Sequence, residues 1–198
     1  MGIVDYGVGN HNSISSAISS LGYRCRVNDD PKALDAADVI LLPGVGAFPA
    51  AVRAIEHRGL SGYLRARWRA GRPIIGICLG MQLLADSSTE FEDTAGLGLM
   101  PGRVVPLRQS GWHIGWNTYE SVGGDPLLRS IDGLSVYFNH SFIFDVPTEY
   151  CIGMARLTRP FAVAVRRNNV VGLQFHPEKS QAAGREALKR VIDGLCDA

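Results

Sequence analysis

The chain has 198 residues, of which 46% are hydrophobic and 20% charged, with a formal net charge of +1. A chain of this length can bury a substantial core, and this balance excludes a disordered segment and a basic nucleic-acid-binding surface. Cys25, Cys78, Cys151 and Cys196 lie far apart with no C-x-x-C pair, which fits neither a metal knuckle nor a disulfide framework and makes any special cysteine a catalytic candidate.

In chain order, residues 2–5 read as a first strand. They lack the basic and apolar regions of a signal peptide, and no apolar run reaches the ~18 residues of a membrane helix. A soluble, cytoplasmic, single-domain protein is expected. The turn Tyr6-Gly7-Val8-Gly9-Asn10 leads to a helix over about 13–21, followed by a strand at 24–27. Residues 39–42 and 73–77 are apolar runs without polar alternation, and helical patterns cover 47–56, 60–70 and 79–85. Buried strands separated by helices predict a parallel sheet covered on both faces, hence an α/β fold. After Gly96 the pattern changes to strands at 104–107, 113–120, 135–144, 151–155, 161–166 and 170–175, with a hairpin turn at Arg167-Asn168-Asn169. A last helix covers about 181–195. The expected fold has a mixed, mainly parallel central sheet flanked by helices, with antiparallel additions from the second half.

The chemistry concentrates at Gly76-Ile77-Cys78-Leu79-Gly80. A residue between a buried strand and a helix must turn sharply, and glycines two positions away on each side leave room for that turn; this is the nucleophile-elbow pattern with cysteine. The helix start adds positive potential at the sulfur, favouring the thiolate, and offers the Leu79 N–H to a developing oxyanion. A buried structural cysteine satisfies the same local pattern, so the decision rests on residues elsewhere. Gln174-Phe175-His176-Pro177-Glu178 supplies them. It follows a strand, and alternation places His176 and Glu178 on one side, at the carboxyl end of the sheet where sites form in open α/β folds. His176 is then the base for Cys78, and Glu178 orients the imidazole and stabilises the imidazolium. His11, His57, His113 and His140 have no acid two residues on.

With these motifs in place, the sequence resembles the class I glutamine amidotransferases, whose triad is Cys, His and Glu in this chain order and whose fold is flavodoxin-like. It is most similar to the glutaminase subunits of imidazole glycerol phosphate synthases. The resemblance covers essentially the whole chain through Asp5-Tyr6-Gly7-Val8-Gly9-Asn10, Pro43-Gly44-Val45-Gly46-Ala47-Phe48, the Cys78 elbow, Gly96-Leu97-Gly98-Leu99, His113-Ile114-Gly115-Trp116-Asn117 and the motif from Gln174 to Ser180.

The resemblance implies that Gly44, Val45 and Gly46 join Leu79 in the oxyanion hole. It also implies that the peptide after Gly44 rotates to aim the Val45 N–H when the partner is loaded, since glycine tolerates either sign of φ. Further, it implies that Gln82, Glu90 and the Ser141-Phe142 backbone hold L-glutamine, with Glu90 on its α-ammonium. Asn10, His11, Tyr137 and Lys179 would face the partner, a (β/α)8 barrel cyclase that receives ammonia and builds the imidazole ring of histidine. No metal or organic cofactor is implied, and no nucleic acid or membrane.

Four positions near the expected docking face depart from the family pattern: Gly111 and Trp112, where Gly111-Trp112-His113 stands in place of Val-Pro-His, His11 in place of an apolar residue, and Asn139 in place of valine. None belongs to the triad, so they leave the chemistry alone and the partner open. Two other readings therefore stand beside the first. One is a paralogous glutaminase supplying ammonia for sugar amidination in surface-polysaccharide synthesis; the other is a stand-alone cysteine hydrolase or peptidase.

Overall fold

In the computed structural model, residues 1–108 and 111–196 are described. The amino-terminal strands are β1 (Gly2–Val4), β2 (Arg26–Asn28), β3 (Ile40–Gly44) and β4 (Ile74–Cys78), followed by the short β5 (Ser87–Ser88) and β6 (Thr94–Ala95). Next come β7 (Arg103–Pro106), β8 (His113–Thr118), β9 (Glu120–Ser121), β10 (Ser135–His140) and β11 (Phe142–Asp145). The last are β12 (Cys151–Arg156), β13 (Pro160–Arg167) and β14 (Val170–Leu173). The helices are α1 (His11–Ser20), α2 (Pro31–Asp35), α3 (Phe48–His57), α4 (Leu60–Arg69), α5 (Leu79–Gln82) and α6 (Gln181–Cys196).

The main sheet runs β2-β1-β3-β4-β14-β13-β12-β9. The first five strands are mutually parallel, and β13, β12 and β9 add antiparallel. The order of the parallel part is flavodoxin-like, so its carboxyl edge is the place for a site. Alternation along the buried strands sorts side chains into two cores. Ile3, Leu41, Ile75 and Val171 pack with Ile14 and Ile18 of α1 and with Ala187 and Val191 of α6. Val4, Ile40, Leu42, Ile74 and Val170 pack with Ile55 of α3 and with Leu60 and Leu64 of α4 on the other face. No helix among the described residues is long and apolar enough to cross a membrane.

The expected α/β fold and mixed sheet are present, and the Asn168–Asn169 hairpin joins β13 to β14, with Asn168 at φ 54°. Several boundaries differ. The apolar run 135–144 is two strands: β10 pairs with β8, and beyond Ser141 β11 pairs with β7 in another sheet. The run 113–120 likewise divides, and β9 crosses into the main sheet. α2 was not anticipated, although Asp30 caps it by accepting the Lys32 N–H and Pro31 occupies its first position, the arrangement expected of a helix start. The helix after Cys78 stops at Gln82 because the next carbonyls are taken from outside. Those of Leu83, Leu84 and Ala85 accept the N–H groups of Leu97, Leu99 and Gly98.

Close approach of backbones fixes two glycines beneath the site. A Cβ on Gly80 would collide with the Leu42 carbonyl, and one on Gly76 with the Gly80 carbonyl. Gly80→Ala is therefore expected to cost about 3 kcal/mol of stability. Gly62→Ala, in open space within α4, is expected to add roughly 0.5–1 kcal/mol. Urea unfolding of the two variants checks both signs.

Candidate active site

β3, β4 and β14 end side by side, and their register delivers the functional groups. Gly44 pairs with Cys78 across β3 and β4, and Leu173 pairs with Ile77 across β4 and β14. Cys78 turns the chain into α5 at φ 53° and ψ −112°, a backbone region that costs a non-glycine residue of order 1–3 kcal/mol and is typical of strained functional positions. The turn buries the side chain, and its Sγ–H reaches toward the Asn139 carbonyl at 3.9 Å. Only the backbone of Asn139 is used, so the departure from valine there leaves this contact unchanged.

His176 follows β14 by three residues. Its Nδ1 lies 2.9 Å from Glu178 Oε1, and both side chains are almost fully enclosed. Burial alone would lower the imidazole pKa, but hydrogen bonds to Cys78 and Glu178 and the negative charge on both raise it to about 9. The backbone around His176 is clamped by β10: the His176 N–H donates to the Tyr137 carbonyl at 2.8 Å. Ser180 Oγ accepts the Tyr137 N–H at 2.9 Å while donating to the His176 carbonyl at 2.6 Å. Tyr137 also carries Lys179 over its ring at 5.8 Å and meets Trp116 edge-on at 5.9 Å.

The segment expected to supply the oxyanion hole leaves the end of β3. Gly44 does not hold a positive φ; the left-handed residue is Gly46 at φ 97°. Gly44 is required instead by crowding, because a Cβ there would come within 2.8 Å of Gly80 N and Leu79 Cβ and 2.7 Å of Tyr6 Oη. The Tyr6 hydroxyl donates to the Pro43 carbonyl at 2.6 Å. Burial, and secondarily charge on Cys78, hold the phenol pKa well above its ordinary value, so Tyr6 stays a donor. Val45 and Gly46 are exposed beyond this anchor, and Leu79, next to Cys78, is buried.

Of the expected glutamine-binding residues, Gln82 is buried and donates through Nε2 to the Phe142 carbonyl and to Gln174 Oε1, each at 3.0 Å. The Phe142 carbonyl also accepts from His140 Nδ1 at 2.9 Å, and the Ser141 carbonyl accepts the Leu107 N–H. Glu90 comes from the β5–β6 connection and accepts the Phe48 N–H at 2.8 Å. It thereby caps α3, whose own cap residue, Ala47, has no side-chain acceptor. Burial raises the Glu90 pKa, partly offset by that N–H. Asn10 caps α1 through the Ser13 N–H, and His11 Nε2 sits 3.8 Å from Asp5 Oδ1.

Sequence reasoning missed three contributors: Tyr6, the hydrogen-bonded pair His113–His140, and Gln174, whose Nε2 lies 3.6 Å from Cys78 Sγ. For Gln174 a signal existed, since it precedes His176 by two residues and alternation puts both on one side.

The sequence profile of the glutamine amidotransferase class-I family matches residues 2–192. The imidazole glycerol phosphate synthase subunit HisH of Streptococcus gordonii is 43% identical over 193 residues, covering 95% of this chain and 93% of its own. The subunit of the same name from Listeria monocytogenes serotype 4a is 40% identical over 191 residues, covering 94% and 92%. Among solved structures, a glutamine amidotransferase superposes with a TM-score of 0.77 at 20% identity, covering 100% of this chain and 99% of that one. PurLQS from Thermotoga maritima gives 0.76 at 18%, covering 98% and 97%; at such identities the likeness is one of fold.

The raised His176 pKa sets the sign of a pH effect. A histidine whose folded pKa exceeds its ordinary value of about 6.5 keeps its stabilising charge fully below that pH and loses it as pH rises through about 9. Glu178→Gln removes one of the two groups that raise it. The basic limb of the pH profile for glutamine hydrolysis is expected to move to lower pH, with kcat falling about 10²-fold or more.

Proposed function

The chain belongs to the glutamine amidotransferase class-I family, and on that premise we propose that it is the glutaminase subunit of an imidazole glycerol phosphate synthase. The observation that carries this reading is near-full-length identity of 40–43% to subunits of that name; the 2.9 Å contact between His176 and Glu178 supports it.

The Cys78 thiolate attacks the carboxamide carbon of glutamine. Charge developing on the carbonyl oxygen falls to the Leu79 N–H and to the Val45 N–H, on the exposed segment that follows the Tyr6 anchor at Pro43 and turns at Gly46. His176, held as imidazolium, protonates the departing ammonia, and a γ-glutamyl thioester remains on Cys78. Water then adds with His176 as base and glutamate leaves. Glu178 keeps Nδ1 protonated so that Nε2 serves the sulfur. Glu90, beside the start of α3, faces the α-ammonium of the substrate, and the Ser141-Phe142 turn holds the other end with Gln82.

Ammonia released to water near neutral pH is mostly protonated and no longer nucleophilic, so the product must pass directly to a docked acceptor. The partner of this reading is a (β/α)8 barrel cyclase. The surface offered to it is the outer face of the β8–β10 pair, where Trp112 (70% exposed), Ile114 (62%) and Trp116 (49%) alternate with inward residues. This face is continuous with Tyr137 and Lys179, and the Tyr137 backbone accepts the His176 N–H and donates to Ser180 Oγ. Trp112, unexpected in sequence, enlarges an apolar patch of the kind that marks an interface.

Mixing the chain with a cyclase subunit and its nucleotide acceptor is expected to raise glutamine hydrolysis at least tenfold over the chain alone. Full activity of the lone chain, or no response to the cyclase, would contradict the reading. Ile114→Lys, on the exposed face, is expected to abolish co-elution with the cyclase without lowering the unfolding midpoint of the isolated chain.

A further inference from the structure

We propose that Gln174 is a further catalytic residue: its side-chain N–H is the fixed donor that holds the Cys78 sulfur as a thiolate between turnovers. The proposal rests on the reading of Cys78 as the nucleophile. Gln174 is fully buried, and its Nε2 is 3.6 Å from Sγ. The direction of its amide follows from a backbone carbonyl. The Phe142 carbonyl can only accept, so the Gln82 atom 3.0 Å from it is Nε2. That same Nε2 lies 3.0 Å from Gln174, so the Gln174 atom it meets is Oε1. Gln174 is left presenting its N–H groups toward the sulfur. A second donor, His140 Nδ1 at 2.9 Å, fills the remaining capacity of the Phe142 carbonyl and holds the anchor in place.

The choice of partner is chemically pointed. A neutral thiol is a weak acceptor, and a buried amide N–H facing one would be poorly satisfied. Against a thiolate the same contact is charge-assisted. Cys78 is only 6% exposed, so water contributes little to solvating its charge, and α5 is a single turn long. His176 supplies one cationic partner on the proton-transfer side, and Gln174 supplies a donor that never gives up its proton. In the thiol form the Sγ–H turns to the Asn139 carbonyl instead, so the pocket offers a distinct partner for each protonation state.

Alkylation of Cys78 by iodoacetamide in the full chain, followed by peptide mapping, reads the thiolate without any substrate. Gln174→Met is expected to slow alkylation at pH 7 about tenfold and to move the midpoint of its pH dependence upward, with glutamine KM little changed and kcat reduced. Gln174→Glu, which sets a carboxylate against the sulfur, is expected to slow it further. Wild-type alkylation rate and midpoint in a folded Gln174→Met protein would overturn the proposal. Should that variant fail to fold, Gln82→Met, which removes the group orienting Gln174, is expected to slow alkylation in the same direction, and an unchanged rate there would overturn it equally. Cys78→Ala separates the two claims: residual glutamine hydrolysis in that variant refutes the nucleophile itself, whereas its loss beside wild-type alkylation in Gln174→Met refutes only the role of Gln174.

Discussion

The parallel pairing of β3, β4 and β14 is the constraint from which the rest of the site follows. Because Gly44 lies opposite Cys78 and Leu173 opposite Ile77, three chain segments separated by about thirty to a hundred residues reach the same edge in fixed register. A shift of one residue would reverse the faces of every side chain on the strand, sending its buried residues from one core to the other. The hydrophobic sorting that stabilises the sheet therefore also sets where Cys78 and His176 emerge. The glycines that let β4 turn back under α5 complete the arrangement, because Gly76 and Gly80 sit where backbones nearly touch.

Several groups hold structure and site together at once. Glu90 caps α3, Tyr6 anchors the strand end at Pro43, and the Phe142 carbonyl collects donors from Gln82 and His140. His140 is kept neutral because burial lowers its pKa to about 4, which leaves its Nε2 as acceptor for His113 Nδ1 at 3.1 Å. Buried polar chains of this kind are costly when half satisfied and rigid when complete. They explain why a small protein places so many polar groups, among them Gln82, Glu90, His113, His140, Gln174 and His176, inside an otherwise apolar interior.

What was legible in the sequence was local. The elbow around Cys78 and the spacing of His176 and Glu178 are short-range patterns, and the buried strands announced a parallel sheet by their lack of alternation. What was not legible depends on partners far along the chain. Nothing within 135–144 distinguishes one long strand from two, because the break at Ser141 arises when the chain trades β8 for β7 as neighbour. The shortened α5 is a case of tertiary competition for carbonyls. The contact of Gln174 with Gln82 spans 92 residues, and no period or motif encodes it. Gly44 was read for conformational freedom, whereas crowding by Tyr6, Leu79 and Gly80 is what the structure gives as its reason.

The central claim is that Cys78, with His176 and Glu178, forms a covalent intermediate with glutamine. The most direct test is to mix the chain and a cyclase subunit with glutamine, quench in acid within the first turnovers, and measure the mass of the intact protein and its peptides. The account requires a γ-glutamyl adduct on the peptide containing Cys78, absent from a Cys78→Ala protein. Sustained glutamate release with no adduct, or an adduct carried by Cys25, Cys151 or Cys196 instead, would contradict it.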